Sequence, residues 1–434
     1  MVLRLDSRAL DFEPAITAFM AIEREARAGD SDVSSIVAEI ISAIRECGDA
    51  ALQSYTEQFD RYDVGARGLR VSRDEVAAAS AACDPELREA LLVAAERIRV
   101  YHERQLPKDD RWTDEAGISL GWRWTPIDSV GLYVPGGLAS YPSSVLMNAI
   151  PARVAGVQRV AMVVPTPGGV VNPLVLVAAE IAGVDEIYRV GGAQAVAALA
   201  YGTAAIAPVD KIVGPGNAFV AEAKRQVFGK VGIDTIAGPS EILVVADKFS
   251  NPAWIAADLL SQAEHDPAAQ TILVTDDTDL ADRVASAIAQ QLEGHLREAV
   301  ARSAWENNSA IITVASLDEA ARLVDRFAPE HLELSIDDPE ALMARIKHAG
   351  AIFLGRHTPE AIGDYIAGPD HVLPTSRVAR YGSGLSVFDF IKRSSIIGCT
   401  EQGLRAIGRY AVALATSEGL HSHALSVSIR VDAA

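Results

Sequence analysis

The sequence predicts an α/β protein built from two open, largely parallel, incomplete Rossmann-like units with helical arms at both ends. Two patterns carry this expectation. From residue 143 onward, short apolar runs recur roughly every 25 residues, separated by segments with helical apolar spacing. That alternation builds parallel sheets through β-α-β crossovers. Outside this region, roughly the first hundred and the last fifty residues show helical spacing and no strong strand.

In chain order, Ser72 with Glu75 forms a capping-box pair. Asp84 before Pro85 reads as an N-cap with proline at the first helical position, opening a helix to about Val100. Between residues 117 and 135 the pattern changes to strands and turns, with Trp122 and Trp124 alternating around Arg123. A first set of strands is expected at 160–164, 187–190 and 211–213, with a helix at 173–182 capped by Asn172 and stopped by Gly183. A second set is expected at 242–246, 271–275, 310–314 and 351–354. No solenoid repeat or low-complexity tract interrupts them.

At 434 residues the chain has room for two or three domains. Hydrophobic residues make up 49% and charged residues 22%, the balance of a folded rather than a disordered chain. The formal net charge of −19 weighs against a phosphate backbone as partner. The opening MVLRLDSRALDFEP has no secretory pattern, and no run of 18 apolar residues occurs, so the expected compartment is the cytoplasm. Three scattered cysteines, Cys47, Cys83 and Cys399, exclude a disulfide framework and a cysteine zinc ribbon. Cys47 and Cys83 fall on Ala-rich helical segments, where small buried thiols are expected. Cys399 has no basic neighbour in sequence to activate it.

Three groups of residues offer chemistry. The glycine loops 131–137, 190–195 and 213–217 follow strands, where open α/β sheets bind ligands, yet none completes G-x-G-x-x-G. Tight turns alone would also account for them. Gln262 and His265, three apart at the end of an expected helix, share a face. With Asp364, His421 and His423 they offer the imidazole and oxygen donors that suit zinc. A histidine at a helix C-terminus also serves simply by meeting the helix dipole. Glu330–His331 and Asp370–His371 each put a carboxylate beside an imidazole, a pairing for acid–base work or an ordinary solvated loop.

Nine segments then stand in a familiar order: VGLYVPGG, PSSVLMNAIPA, RVGGAQAVAALAYGT, KIVGPGN, IAGPSEILVVAD, LLSQAEHDP, APEHLEL, IGDYIAGPDHVLPT and GLSVFDFIKR. In these, from about Leu120 to the C-terminus, the chain resembles histidinol dehydrogenases.

The resemblance implies a cytoplasmic homodimer with one zinc ion per subunit. It would use two NAD in turn to oxidise L-histidinol, through L-histidinaldehyde, to L-histidine. It assigns Gln262, His265, Asp364 and His423 to zinc, and Glu330 and His331 to catalysis. Tyr133, Gln194 and Asn217 fall to NAD. Ser240, His371 and Glu418 fall to substrate, which is also contacted by Gln262, His265, His331, Asp364 and His423. The implied organisation is an N-terminal arm at 1–25, a discontinuous metal and catalytic unit at 26–133 and 240–385, a nucleotide unit at 134–239, and an intersubunit helical arm at 386–434. Asp370 departs from the family, which usually carries Asn there, and is expected to act on His371. In the implied chemistry His331 takes the hydroxyl proton and Glu330 activates water to hydrate the aldehyde, so no thiolate is needed. The residues also fit oxidation of another small polar alcohol, or a metal-dependent hydrolase, which would need no NAD.

Overall fold

The computed structural model describes residues 2–27, 31–136, 141–236 and 238–432. Gly137, the end of the first glycine loop, lies outside them. In chain order the strands are β1 (Leu3–Asp6), β2 (Asp110–Thr113), β3 (Ile118–Pro126), β4 (Ser129–Tyr133), β5 (Arg159–Val163), β6 (Glu186–Tyr188) and β7 (Lys211–Val213). They continue as β8 (Gly232–Ile233), β9 (Glu241–Ala246), β10 (Gln270–Thr275), β11 (Ala310–Thr313), β12 (His331–Ser335), β13 (Ala351–Leu354) and β14 (Ile391–Cys399).

Two parallel sheets organise the chain. One has the order β6-β5-β4-β7-β8, the other β1-β11-β10-β9-β12-β13. Every pairing within them is parallel. Strand β9 is buried along its whole length, as the continuous apolar run of a central parallel strand requires. A small antiparallel ribbon, β14-β3-β2, completes the described sheets.

Five strands were not expected from the sequence: the short β2 and β8, and β1, β14 and β12, which differ for physical reasons. Four-residue β1 is too short to show a period, yet it pairs with β11 at the edge of the larger sheet. Strand β14 lies where only helix was expected. Its polar side chains are largely exposed, and it is held by backbone pairing to β3 over nine register positions from Ile391↔Pro126 to Cys399↔Ile118. Strand β12, HLELS, read as a loop because its Glu330–His331 start follows the helix-breaking Pro329. Both of its faces are buried. Leu332 and Leu334 join a core with Phe12, Ile16 and Phe19, while the polar row of His331, Glu333 and Ser335 faces the other way.

The helical N-terminal region packs on the smaller sheet. Val37, Ile40, Ile44 and Leu52 share one core with Tyr133, Ala161 and Val163. Ala79, Ala94 and Ile98 share another with Val130, Leu132 and Val160 on the opposite face. The helices between residues 31 and 103, together with β4, therefore lie against the smaller sheet, not with β9 and β12 as the division at residue 133 had them. The reason lies in β4, whose alternate residues face the two cores. The capping box at Ser72 and the Asp84–Pro85 helix start are both present. Cys47 is exposed and Cys83 half-buried, against the expectation of buried thiols. Among the described residues no helix is long and apolar enough to cross a membrane.

Candidate active site

The helix Pro252–Ala263 starts at Asn251, whose side chain accepts from Ala253 N–H, with Pro252 at its first position. It follows β9 and runs back beside it, so its last turn returns to the amino end of the larger sheet. Gln262 lies in that turn, buried. His265 lies just past the helix, not in its last turn, because Glu264 is already the C-cap. The chain still curls there, and His265 N–H donates to the Gln262 carbonyl at 3.1 Å. The exposed His265 ring brings Nδ1 to 3.4 Å from Ser240 Oγ.

Glu330 and His331 enter the same corner at the start of β12, next to the start of β9. Both are buried. His331 Nδ1 is 2.9 Å from the carbonyl of Glu241 and 2.7 Å from the terminal amide of Gln262. Nδ1 thus faces an acceptor in the Glu241 carbonyl and a donor in the Gln262 amide nitrogen, and the bond to the carbonyl is the one that puts the ring proton on Nδ1 and leaves the Nε2 lone pair free. Nε2 has no hydrogen-bond partner and lies 3.6 Å from Glu360 Oε1 and 3.9 Å from Asp364 Oδ1. Burial holds the imidazole below its ordinary pKa, opposed by the Asp364 charge. At neutral pH the ring is therefore neutral and able to accept a proton. Burial, reinforced by Glu241, holds the Glu330 carboxyl well above the usual carboxylate range.

Glu360 was not singled out from the sequence, although a readable signal existed: it precedes Asp364 by four residues on one helix, Glu360–Tyr365. It is 2% exposed, and burial together with Asp364 pushes its carboxyl up to about 9. Its N–H donates to Glu333 Oε1, and Ser261 Oγ donates to its Oε2. His331, Glu360 and Asp364 each offer one donor atom within 4.8 Å of the others. His331 Nε2, Glu360 Oε1 and one end of the Gln262 amide are all buried without a partner. Unsatisfied acceptors beside crowded carboxylates fit a divalent cation, and imidazole with oxygen donors suits zinc.

His371 completes the corner. Its Nδ1 is 3.0 Å from the Asp364 carbonyl, and its Nε2 is 3.3 Å from Ser144 Oγ on the helix Pro142–Ala155. Burial lowers its pKa, and Asp364 works against that shift. Asp370 does not act on this ring. Its Oδ1 accepts from Val372 N–H at 2.8 Å, its Oδ2 is buried without a partner, and burial holds the carboxyl well above its ordinary pKa.

A prediction follows for stability. An unfolded Asp loses its proton near pH 3.9, whereas folded Asp370 holds it to much higher pH. The folded state thus binds more protons above about pH 4, and its stability falls as pH rises. Asp370→Asn should leave turnover nearly unchanged, match wild-type stability near pH 3.5, and be more stable than wild type at pH 8. Denaturant unfolding at the two pH values checks it. An equal difference at both would mean that Asp370 carries no extra proton.

The nucleotide candidates gather elsewhere. Tyr133 ends β4, and its hydroxyl accepts from Gly192 N–H at 3.0 Å. Burial pushes that phenol up to about 12. Gln194 is buried in the first turn of the helix Gly192–Tyr201, and Asn217 caps the helix Ala218–Val227 by accepting from Val220 N–H. All three therefore lie at the carboxyl edge of the smaller sheet, beside two helix N-termini. Gly214 makes the turn there possible. Its φ is +111°, its N–H donates to Asp234 Oδ2, and a Cβ would run into the Tyr133 carbonyl.

Two expected site residues are not brought in by their own chain. Glu418 and His423 are exposed on the C-terminal helical pair Glu401–Ser417 and His421–Asp432. His421 is exposed there as well. Gly408 lets the two helices close, since a Cβ there would come within 3.0 Å of Val431 Cγ2. The pair leaves Tyr410, Leu414, Leu425 and Ile429 exposed.

The chain matches the family described as histidinol dehydrogenase over residues 23–431. It is 61% identical over 433 residues to the histidinol dehydrogenase of Rhodospirillum rubrum, covering 100% of this chain and 99% of that protein. To that of Ruegeria pomeroyi it is 61% identical over 428 residues, covering 99% and 98%. Among solved structures, histidinol dehydrogenase from Elizabethkingia anophelis is 35% identical with a TM-score of 0.92, over 100% of this chain and 98% of that one. An acetylating aldehyde dehydrogenase from Geobacillus thermoglucosidasius reaches a TM-score of 0.50 at 12% identity over 91% and 98%, a likeness of fold alone.

Proposed function

Because this chain belongs to the histidinol dehydrogenase family, we infer that it oxidises L-histidinol to L-histidine in two NAD-dependent steps, within histidine biosynthesis. The observation that carries the site assignment is the His331 ring, with Nδ1 held on the Glu241 carbonyl and Nε2 bare beside Glu360 and Asp364.

Gln262, His265 and Asp364 would hold a divalent cation, zinc in this reading, with His423 arriving from a second copy of the chain. When bound, the ion supplies a positive centre that orients the substrate's imidazole and amine and polarises its oxygen. Ser240 and His371 line the same corner for the substrate, with Glu418 coming from the second copy. Tyr133, Gln194 and Asn217 stand where NAD would lie, its pyrophosphate favoured by the adjacent helix N-termini. The uncovered apolar row on the C-terminal helices supports a homodimer in which that hairpin docks on the partner.

In the first step His331 Nε2 takes the hydroxyl proton; NAD, when bound, would supply the acceptor for the hydride that leaves the carbon, so that the aldehyde forms. Glu330 then takes a proton from water as its oxygen adds to the carbonyl, while His331 returns the proton taken in the first step to the carbonyl oxygen, giving the hydrated aldehyde and a neutral His331. His331 removes a hydroxyl proton from that hydrate as the second hydride leaves, and the acid forms. No thiol is required. None of Cys47, Cys83 or Cys399 stands on an element that carries a site residue.

Counting NADH per histidinol, with and without a chelator, tests the whole reading. The expected result is two NADH per histidinol, lost on metal removal and restored by zinc. One NADH with aldehyde accumulating would remove the second step. Activity untouched in metal-free protein would remove the cation, and product without NAD would mean a hydrolase.

A further inference from the structure

The glycine loop VGPGN turns on a buried ion pair to which no role has so far been attached. Gly214 directly follows β7 and is buried. A buried N–H and a buried carbonyl both need partners, and Gly214 finds both in the same two side chains. Its N–H donates to Asp234 Oδ2 at 2.7 Å, and its carbonyl accepts from Lys224 Nζ at 3.0 Å. Lys224 Nζ also pairs with Asp234 Oδ1, and the two side chains are only 3% and 4% exposed.

The three residues come from different elements. Lys224 lies on the helix Ala218–Val227, seven residues after its cap Asn217 and so on the same face. Asp234 directly follows the edge strand β8, and its N–H donates to the Ile212 carbonyl of β7 at 3.3 Å. Gly214 itself lies against the end of β4, where β7 pairs as far as Leu132↔Val213. The pair thus fastens a strand end, the next helix and the edge strand around one glycine in the left-handed region. Three residues further on, Asn217 stands exposed at the edge of the sheet. A fixed pivot precedes a residue open to solvent.

Stability alone gives little reason to bury these charges. Apolar side chains of the same volume often serve as well, because desolvation offsets the attraction within the pair. What apolar side chains cannot do is hold both backbone polar groups of Gly214. We propose that Lys224 and Asp234 are positioning residues for the nucleotide: their buried pair sets the conformation of the loop from Gly214 to Asn217, and thereby the fit of NAD at the carboxyl edge of the smaller sheet. This rests on the reading that Tyr133, Gln194 and Asn217 meet NAD. A loop already held in one conformation loses no freedom when NAD arrives. Loss of the pair should therefore weaken NAD binding and leave the chemical steps alone.

The test is equilibrium titration of NAD into zinc-loaded Lys224→Met/Asp234→Leu, with steady-state kinetics beside it. Removing both partners leaves no lone buried charge, so the fold should survive. Kd and KM for NAD should each rise about 10-fold, because the loop must now be ordered on binding. Turnover at saturating NAD, KM for histidinol and zinc content should stay within about twofold. A pair that served only the fold would lower the folded fraction, and with it turnover per mole of protein, at wild-type Kd and KM for NAD. That result would overturn the proposal, as would equal rises in KM for NAD and for histidinol. If the double variant does not fold, Asp234→Asn carries the test. Its Oδ1 can still accept from Gly214 N–H, but its amide nitrogen sets a donor against Lys224 Nζ. The Kd for NAD should then rise about 3-fold or more, and an unchanged Kd would again overturn the proposal. Asn217→Ser separates the two readings, since serine still caps the helix while the amide is gone. A wild-type Kd for NAD there would remove Asn217 as a contact, whereas a raised Kd there with none in the pair variants would remove only Lys224 and Asp234.

Discussion

His331→Asn should lose about 10²–10⁴-fold in turnover, the usual cost of removing a general base. Zinc content and NAD affinity should stay near wild type. The choice of asparagine follows from the geometry. Its amide nitrogen can take the place of Nδ1 and keep the bond to the Glu241 carbonyl, whereas nothing replaces Nε2. The buried corner thus stays filled and bonded while the proton acceptor is gone. Steady-state NADH formation measures the loss, with metal analysis and NAD titration as controls. Turnover within about tenfold of wild type would strip His331 of its role.

The second large effect is a recovery. His423→Ala and Asp364→Ala should each be inactive, but mixed and re-dimerised they should regain activity. If His423 reaches the partner's site, both lesions in a mixed dimer fall in one site, and the other pairs a native Asp364 with a native His423. Each mixed dimer should then work at roughly half the wild-type rate, from site counting on a two-fold dimer. The exposed position of His423, on a hairpin with an uncovered apolar row, is what calls for the experiment. Mixed dimers that form, bind zinc and remain inactive would mean that His423 serves its own chain or binds no metal.

What could be read from residues alone depended on whether an element advertised its burial. Strands such as β9 and β10 carry unbroken apolar runs because both faces are covered, and they stand within a residue of their expected positions. Strand β12 hid itself because one of its buried faces is polar, its His331 and Glu333 accommodated by partners more than sixty residues away, such as Gln262 and Asp258. Tertiary partners of that kind leave no trace in a window of ten residues. The site shows the same split. Gln262 with His265, and Glu330 with His331, were visible as neighbours in sequence, and the fold brings the two pairs together. Glu241 was passed over because a lone carboxylate at the start of an apolar run looks like surface until a neighbouring strand covers it, and Glu360 because its spacing of four from Asp364 went unread. One inherited rule also failed to cover both centres. Ligands of open parallel sheets are expected at carboxyl ends of strands, which suits Tyr133 and Asn217. The corner of Glu330 and His331 instead lies at the amino ends of β9 and β12, because the helix after β9 carries Gln262 back to where that strand began.

The edge position of β1 has a consequence for the chain as it leaves the ribosome. By the time residue 240 has emerged, all five strands of the smaller sheet exist, from Ser129 to Ile233. The larger sheet then consists only of the four residues of β1. That strand has no partner until Ala310–Thr313 is synthesised, since β11 is the one it pairs with. Synthesis is vectorial and proceeds at roughly 5–20 residues per second, so Leu3–Asp6 must wait several seconds or more while a complete neighbouring sheet is already free to form. The first strand made is thus among the last able to pair, and its early exposure is bounded by its own brevity.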